Sequence, residues 1–211
     1  TDLKKQIAKR MRMPPDAVWT PADFLDIGSR HAVDKALQRL AQTGHIRRID
    51  RGLYDRPHLN QLTGQMSAPD YRQVIQAIAR RDQTRMLIDG MTAANDLGLS
   101  DAVPGRITVH TDARLRPIKL DKQVILFRLA APSKLFWADR PAMRIVQALH
   151  WVHASLADQD DHQRIVRRLR SILADKKYGR TMIADLIKGL STLPAWMQNF
   201  VRQELHVSPA S

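Results

Sequence analysis

The stretch that most constrains the fold is TPADFLDIGSRHAVDKALQRLAQTGHIRRIDRGLY, residues 20–54. Thr20 is a favourable helix N-cap, and the proline that follows it fits the first helical position. Gly28 ends this short segment, and Ser29 can cap a second one. Gly44 then closes the second segment as a glycine with left-handed backbone commonly does. The stretch therefore predicts a short helix, a tight turn, a longer helix and a hairpin in quick succession.

The longer segment has the periodicity of an amphipathic helix. Its apolar residues recur at helical spacing and predict a buried stripe of Val33, Ala36, Leu37 and Leu40. The hairpin that follows, HIRRIDRGLY, carries three arginines and turns at Arg51-Gly52. This order of elements is the layout of a winged helix-turn-helix, which we expect over residues 1–57.

The charge of the chain indicates the partner of such a domain. The net charge is +13 and the isoelectric point is near 10.7. Nucleic acid is the commonest partner of so basic a protein. The second helix of a helix-turn-helix enters the major groove, which is about 12 Å wide. We therefore predict double-stranded DNA as the partner, with these contact residues: Ser29, Arg30, His31, Lys35, Gln38, Arg47, Arg48 and Arg51.

The predicted contacts divide by chemistry. Arg30 suits the O6 and N7 acceptors of guanine, and Gln38 suits adenine. The hairpin arginines suit phosphates or a narrow minor groove. Asp34 lies on the same face and would repel phosphate unless it pairs with Lys35 or Gln38 or accepts a hydrogen bond from cytosine.

The remainder of the chain reads as a mixed region followed by helices. Residues 57–69 are polar and predict a linker or an irregular crossing. Helical and strand patterns then alternate, and everything after Pro141 has helical periodicity. The expected class is α+β: a winged helix-turn-helix, then a second domain over 68–211. That domain would hold a small mixed β-sheet and a helical C-terminal portion from about 140.

Other groups of residues in the sequence have the spacing of a binding or catalytic site. Arg164, Arg167 and Arg168 form a possible second basic patch at helical spacing. Asn95 and Ser100 suit a helix end and a turn, with a partner contact as the alternative. The histidines and aspartates of 150–162 have a spacing that can bind metal, but chance explains it better, and we expect no metal and no cofactor. The aspartates that an enzyme acting on nucleic acid would use, which fit turns better, are Asp89, Asp112 and Asp121.

The absence of some features narrows the function classes. The chain has no cysteine and a single glutamate, and it has no phosphate-binding glycine loop or nucleophile-elbow motif. We therefore expect no enzyme. No run of about 18 apolar residues is present, and the first residues have no signal-peptide character. These patterns predict a cytoplasmic protein without a membrane segment.

The residues also resemble a known family. The 20–54 stretch is similar to the N-terminal domain of the AbiEi-type antitoxins and their DUF6088 relatives. The segment AANDLGLSDAVPGRITVHTD is similar to a second recurring phrase of that family, so that the resemblance spans about residues 18–130. It implies a bacterial repressor that binds inverted repeats upstream of its own operon. It also implies an antitoxin that counters a neighbouring nucleotidyltransferase-like toxin through the domain after the winged helix.

Three functions remain open at this point. The first is the antitoxin-like repressor, bound as a monomer or dimer with two copies on a palindromic site. The second is an interaction protein that sequesters a toxin, with DNA binding secondary. The third is a regulator that has no toxin at all, since some DUF6088 relatives have no evident toxin neighbour.

Overall fold

The computed structural model describes residues 2–207, and its fold confirms the predicted α+β class. The helices are α1 (Leu3–Arg10), α2 (Arg30–Gln42), α3 (Tyr71–Asp82), α4 (Gly90–Asp96), α5 (Met143–Val152), α6 (Gln159–Leu173), α7 (Gly179–Gly189) and α8 (Ala195–Gln203). The strands are β1 (Arg47–Asp50), β2 (Leu53–Asp55), β3 (Met86–Ile88), β4 (Arg106–Thr111), β5 (Ile118–Leu120) and β6 (Gln123–Leu129). Short 3₁₀ helices occupy Pro21–Phe24, Pro132–Leu135, His153–Ala157 and Leu190–Thr192. No helix between residues 2 and 207 is long and apolar enough to cross a membrane.

The chain divides into two compact units. The first comprises Thr1–Thr84 with Arg116–Ile125, and the second comprises Arg85–Leu115 with Leu126–Ser211. Helix α3 therefore belongs with the N-terminal elements. The boundary predicted between a DNA-binding domain at 1–57 and a second domain at 68–211 stays a prediction.

The first unit begins with the winged arrangement that the sequence predicts. Strands β1 and β2 pair in antiparallel fashion, with Arg48 opposite Tyr54. Trp19 adds an isolated antiparallel bridge to Tyr54, through hydrogen bonds of 2.7 and 2.9 Å. The hairpin is therefore tied to the chain that precedes the helix-turn-helix, a connection that the sequence patterns did not indicate.

The core of this winged region lies beneath α2. Its buried apolar residues come from α1, the 3₁₀ turn, α2 and the hairpin, and they include the predicted stripe: Ile7, Met11, Phe24, Val33, Ala36, Leu37, Leu40, Ile46 and Tyr54. Tyr54 packs the hairpin onto the helices. Burial of this apolar surface is the main force that fixes the orientation of α2 and the hairpin.

The first helix of the predicted helix-turn-helix differs from the expectation. It is a single 3₁₀ turn at Pro21–Phe24, with a capping box between Thr20 and Asp23. The segment between Thr20 and Gly28 is too short for a nucleated α-helix to gain much from propagation. The turn at 57–69 is likewise irregular, with one bridge between Leu59 and Met66.

The first unit also contains the hairpin of β5 and the beginning of β6. Its register places Ile118 opposite Ile125, and Leu120 opposite Gln123. Asp121 takes a positive φ of 43° in the connecting turn, which confirms the turn predicted at Asp121-Lys122.

The second unit places a β-sheet beside helices. Strand β3 pairs antiparallel with β4, with Leu87 opposite His110. The end of β6 continues this sheet on the other side of β4, and the chain leaves it with a 2.9 Å hydrogen bond from Ala130 N–H to the Thr111 carbonyl. The apolar residues of α5, α6 and α8 are largely buried, so that the C-terminal helices supply much of this unit's core.

Candidate nucleic-acid interface

Helix α2 begins where the sequence predicts. Ser29 is its N-cap, and the serine Oγ accepts a hydrogen bond of 3.4 Å from the Ala32 N–H. Such a cap satisfies one of the amide groups that a helix start leaves without an intrahelical partner. The helix ends at Gln42, and Gly44 just beyond it has a φ of +73°, which places it in the left-handed region. Both ends of α2 are therefore fixed by local sequence.

The outer face of α2 is polar and exposed. His31, Lys35 and Gln38 are all exposed, as is Ser29. Arg30 donates from Nε to the Asp34 carboxylate at 3.0 Å, one helical turn away. Asp34 thus pairs with Arg30, and neither Lys35 nor Gln38 is its partner. The guanidinium has four further N–H donors on its terminal nitrogens, and arginine donors of this kind can pair with the O6 and N7 acceptors of guanine.

The hairpin presents two exposed arginines. Arg48 lies on β1, and Arg51 lies at the turn, beside Gly52 with a φ of +68°. The turn requires this left-handed backbone, which only glycine adopts without strain. The strand register shifts between Arg48 and Asp50, an irregularity that bends the hairpin at this point.

The helix and the hairpin enclose one cleft. Its volume is about 360 Å³, and it is lined by Pro21, Arg30, Asp34, Gln38, Arg48, Arg51, Gly52 and Tyr54. Four of the eight predicted contact residues therefore meet there, two from α2 and two from the hairpin. The other exposed ones, Ser29, His31 and Lys35, are on the same helix.

Arg47 has a different environment from the other hairpin arginines. Its guanidinium pairs with the buried carboxylate of Asp55 and donates a 2.7 Å hydrogen bond to the Ser67 carbonyl. It therefore connects β1, β2 and the irregular turn that follows them. This role fixes the base of the hairpin, and we do not include Arg47 in the cleft.

Two arginines of α3 hold the winged region, and the sequence patterns did not indicate them. Arg80 donates to both carboxylate oxygens of Asp23, at 3.1 and 2.9 Å, and to the Val18 carbonyl at 3.3 Å. Arg81 donates to the Arg51 carbonyl at 2.9 Å, at the turn of the hairpin. The only sequence signal would have been the paired arginines at the end of a helix, which patterns alone assign to a solvated face.

Hydrogen bonds from arginine lower the pKa values of two aspartates in the helix-turn-helix. Burial acts to raise the pKa of Asp23, but hydrogen bonds from Arg80 and Thr20 outweigh it and lower that pKa below its ordinary value. A hydrogen bond from Arg10 lowers the pKa of Asp26, and the two side chains meet at 2.7 Å between α1 and the turn before α2. Asp23 and Asp26 are therefore charged and partnered by arginine.

A comparison with protein families shows to which family the chain belongs. The model of a family described as "Family of unknown function (DUF6088)" matches residues 6–177. The chain belongs to the DUF6088 family. The matched range includes both segments on which the sequence resemblance rested, and it ends before α7.

No curated protein matches this DUF6088 chain. Among solved structures, the RV2827C protein from Mycobacterium tuberculosis aligns with 97% of this chain and 76% of its own, at 18% sequence identity and a TM-score of 0.42.

The second basic patch of this DUF6088 protein is partly engaged in structural contacts. Arg164 donates to the Leu99 carbonyl at 3.2 Å, and Arg168 donates to the Leu97 carbonyl at 2.7 Å. These carbonyls lie at the C-terminal end of α4, where cations are favourable. Arg167 is exposed. The same region confirms the structural role expected for the NDLGLS segment, because Asn95 donates to the Ser100 carbonyl at 3.1 Å.

The aspartates weighed for catalysis each have a structural role. Asp89 caps α4 and accepts hydrogen bonds from Thr92 and from the Thr108 N–H. Asp112 accepts from the backbone and side chain of Arg85. Within residues 2–207, no three histidine or acidic side chains are placed to hold a metal ion together.

Proposed function

We propose that this DUF6088 protein is an antitoxin-like transcriptional repressor in the cytoplasm. It binds double-stranded DNA at inverted repeats upstream of its own operon, and it counters a neighbouring nucleotidyltransferase-like toxin. It acts by occluding the promoter, and it performs no chemistry. The observation that carries the proposal is the cleft in which the exposed face of α2 meets the exposed arginines of the hairpin.

The cleft supports DNA binding because it combines residues suited to base edges, on α2, with residues suited to phosphates, on the hairpin. Arg30 and Gln38 lie on the helix, where side chains reach base edges in the major groove. Arg48 and Arg51 lie on the hairpin, where they neutralise phosphates and release counterions. An inverted repeat requires two copies of the chain, bound as a dimer or as neighbouring monomers.

The antitoxin part of the proposal rests on the sequence resemblance to the AbiEi-type proteins. In that family the domain after the winged helix carries the antitoxic function. The corresponding second unit here has exposed cationic residues, Arg167 among them, that suit an acidic protein surface.

Gel shifts with the DNA upstream of the gene test the repressor function. Arg30→Ala should weaken binding by about 1–3 kcal/mol at one base pair, because a bidentate base contact is lost. Arg48→Ala should weaken all sequences alike and reduce the slope of log K against log salt concentration by about 0.9, because one phosphate contact is lost.

The matched control is Arg202→Ala, which removes an exposed arginine from α8. Circular dichroism establishes that each variant is folded. Unchanged affinity and salt slope in both cleft variants would exclude the winged-helix assignment. If the protein co-purifies with the product of the adjacent gene but shifts no DNA, toxin sequestration is its main function.

A further inference from the structure

We propose that the second unit contains a binding site for a small anion that carries a planar ring, with a carboxylate or a phosphate as its acidic group. The observation is a cavity of about 420 Å³ lined by Leu87, Gly90, His110, Lys134, Trp137, Gln147, His150 and Trp151. This inference does not depend on the proposed DNA binding, because every lining residue belongs to the second unit.

The cavity is built from four parts of the fold, and Gly90 contributes the start of α4. Leu87 and His110 are cross-strand neighbours on β3 and β4 and therefore share one face of the sheet. Lys134 and Trp137 come from the 3₁₀ turn after β6 and its continuation. Gln147, His150 and Trp151 come from successive turns of α5. A sheet face, a turn and a helix thus bring aromatic rings and one ammonium group together.

The walls are held in place by close packing. Gln147 donates from Nε2 to the Ile88 carbonyl at 2.8 Å, which fixes α5 against the edge of β3. A Cβ on Gly90 would lie 2.7 Å from the Gln147 carbonyl oxygen and 2.8 Å from the Trp151 Cβ. Only glycine therefore allows α4 to approach α5 at this point, and the approach places Trp151 at the cavity.

The charge around the cavity favours an anion. None of the lining residues in the described chain is acidic, and Lys134 supplies a positive charge. Burial lowers the pKa of His110, and the charges of Lys134 and Arg128 lower it further, so both cations lie close enough to act on it. Asp89 opposes them, but its carboxylate already accepts three hydrogen bonds from the start of α4 and from β4.

The rings favour a planar ligand of modest size. Trp151 is 45% exposed and Trp137 is 7% exposed, so one indole is open to solvent and the other is part of the wall. The exposed indole of Trp151 can stack on a planar ring, whereas the guanidinium of Arg140 lies over the Trp137 ring, 5.1 Å from its centroid. The volume is at the lower end of the range for small-molecule sites, which admits one or two rings with an acidic group.

Isothermal titration calorimetry at pH 7.5 tests the site with the full chain. The probes are adenosine monophosphate, which joins a ring to a phosphate, and salicylate, which joins a ring to a carboxylate. Adenosine and inorganic phosphate serve as ligands that lack the acid or the ring. We expect saturable binding of at least one ring anion, and at least tenfold weaker binding of adenosine and of phosphate.

Variants assign the binding to the cavity. Lys134→Met and Trp151→Ala should each weaken the ring anion at least tenfold, whereas Trp151→Phe should retain most of the affinity because it keeps an aromatic face. Lys176→Met, at an exposed lysine outside the lining, is the matched control. Thermal melts verify that each variant is folded.

The outcomes establish whether the cavity binds a ring anion and whether its acidic group is a phosphate or a carboxylate. Binding of adenosine monophosphate alone identifies a phosphorylated ligand, and binding of salicylate alone identifies a carboxylate. No saturable heat with either probe, equal binding of adenosine, or full affinity in the folded Lys134→Met variant would overturn the proposal.

Discussion

Asp34 places a negative charge on the face of α2 that we propose for DNA. Its carboxylate accepts from Arg30 Nε at 3.0 Å, and both side chains are about half exposed or more. The pair contributes little to folding, because exposed ion pairs add only about 0–1 kcal/mol. We propose that the pair acts on DNA binding instead, where the carboxylate orients the guanidinium and also repels the phosphate backbone.

Asp34→Ala should therefore change affinity and specificity in opposite directions. Removal of the charge should tighten binding to scrambled DNA by about 1 kcal/mol at low salt, since one repulsion at short range in water is of that size. Loss of the orienting carboxylate should reduce the preference for the upstream DNA over the scrambled one. Gel shifts with both DNAs measure this, with exposed Asp101→Ala as the control. An unchanged ratio of the two affinities would argue against an orienting role.

The roles of individual arginines show what the sequence can and cannot predict at this scale. Arg48 and Arg51 are exposed at the cleft as expected, whereas Arg47 is held by Asp55 and by the Ser67 carbonyl. Hairpin pairing brings Asp55 to Arg47, and a later turn brings Ser67 there. Such partners are set by tertiary contacts, so that three arginines with similar sequence surroundings take different roles.

At the scale of elements, the hairpin depends on a helix that follows it in the chain. Arg81 of α3 donates to the Arg51 carbonyl at 2.9 Å and lies 3.8 Å from the position of a Cβ on Gly52. The adjacent Asp82 forms a two-point pair with the same guanidinium and raises its pKa, despite an opposing effect of burial. The turn of the hairpin is thus held by a charged hydrogen bond from outside the winged motif.

Arg81→Ala should release this turn without unfolding α2. We expect faster amide hydrogen exchange around Gly52 and a loss of about 1.5–3 kcal/mol in the free energy of unfolding, which is typical of a hydrogen bond to a charged group. DNA affinity should fall for all sequences, while the sequence preference set by α2 is retained. The control is Gln76→Ala, at an exposed position of α3. Unaltered exchange at the turn would contradict a clamping role.

Elements with strong local signals were predictable, and those that depend on partners were not. Helix α2 has two caps and an apolar stripe, and its predicted start, end and buried residues are confirmed. The segment at 20–28 also has a cap and a proline, but it forms only one 3₁₀ turn. Caps mark where a helix begins, whereas its length depends on how many residues follow before a breaker.

At the scale of the whole molecule, the division of the chain was beyond sequence patterns. Residues 116–125 belong with the first unit, although the chain on both sides of them belongs to the second. Contacts between segments so far apart in sequence depend on packing, which local periodicity does not encode. The cleft was predictable in part because its members lie within 34 residues of one another, between Pro21 and Tyr54.

The response of the molecule to acid depends on its histidines as well as on its net charge. The chain carries a net charge of +13 before any of its eight histidines is protonated, and protonation adds to that excess. Two histidines of the second unit resist protonation in the folded state. Burial and then the charges of Lys134 and Arg128 lower the pKa of His110, while burial and His153 lower the pKa of His150.

Acidification from pH 7.5 to 5.5 should therefore lower the free energy of unfolding. A histidine whose pKa is lowered by folding binds its proton more readily in the unfolded chain. The pKa of a histidine in the unfolded chain is about 6.5. Stability is thus complete above that value and decreases as the pH falls towards the folded pKa, by at most about 1.4 kcal/mol per pH unit for one site. Urea unfolding across this range measures the loss. His110→Gln should reduce it, whereas exposed His31→Gln on α2 should leave it unchanged. A loss of the same size in His110→Gln would show that the charge of the whole chain, and not the half-buried imidazole of His110, sets the response to acid.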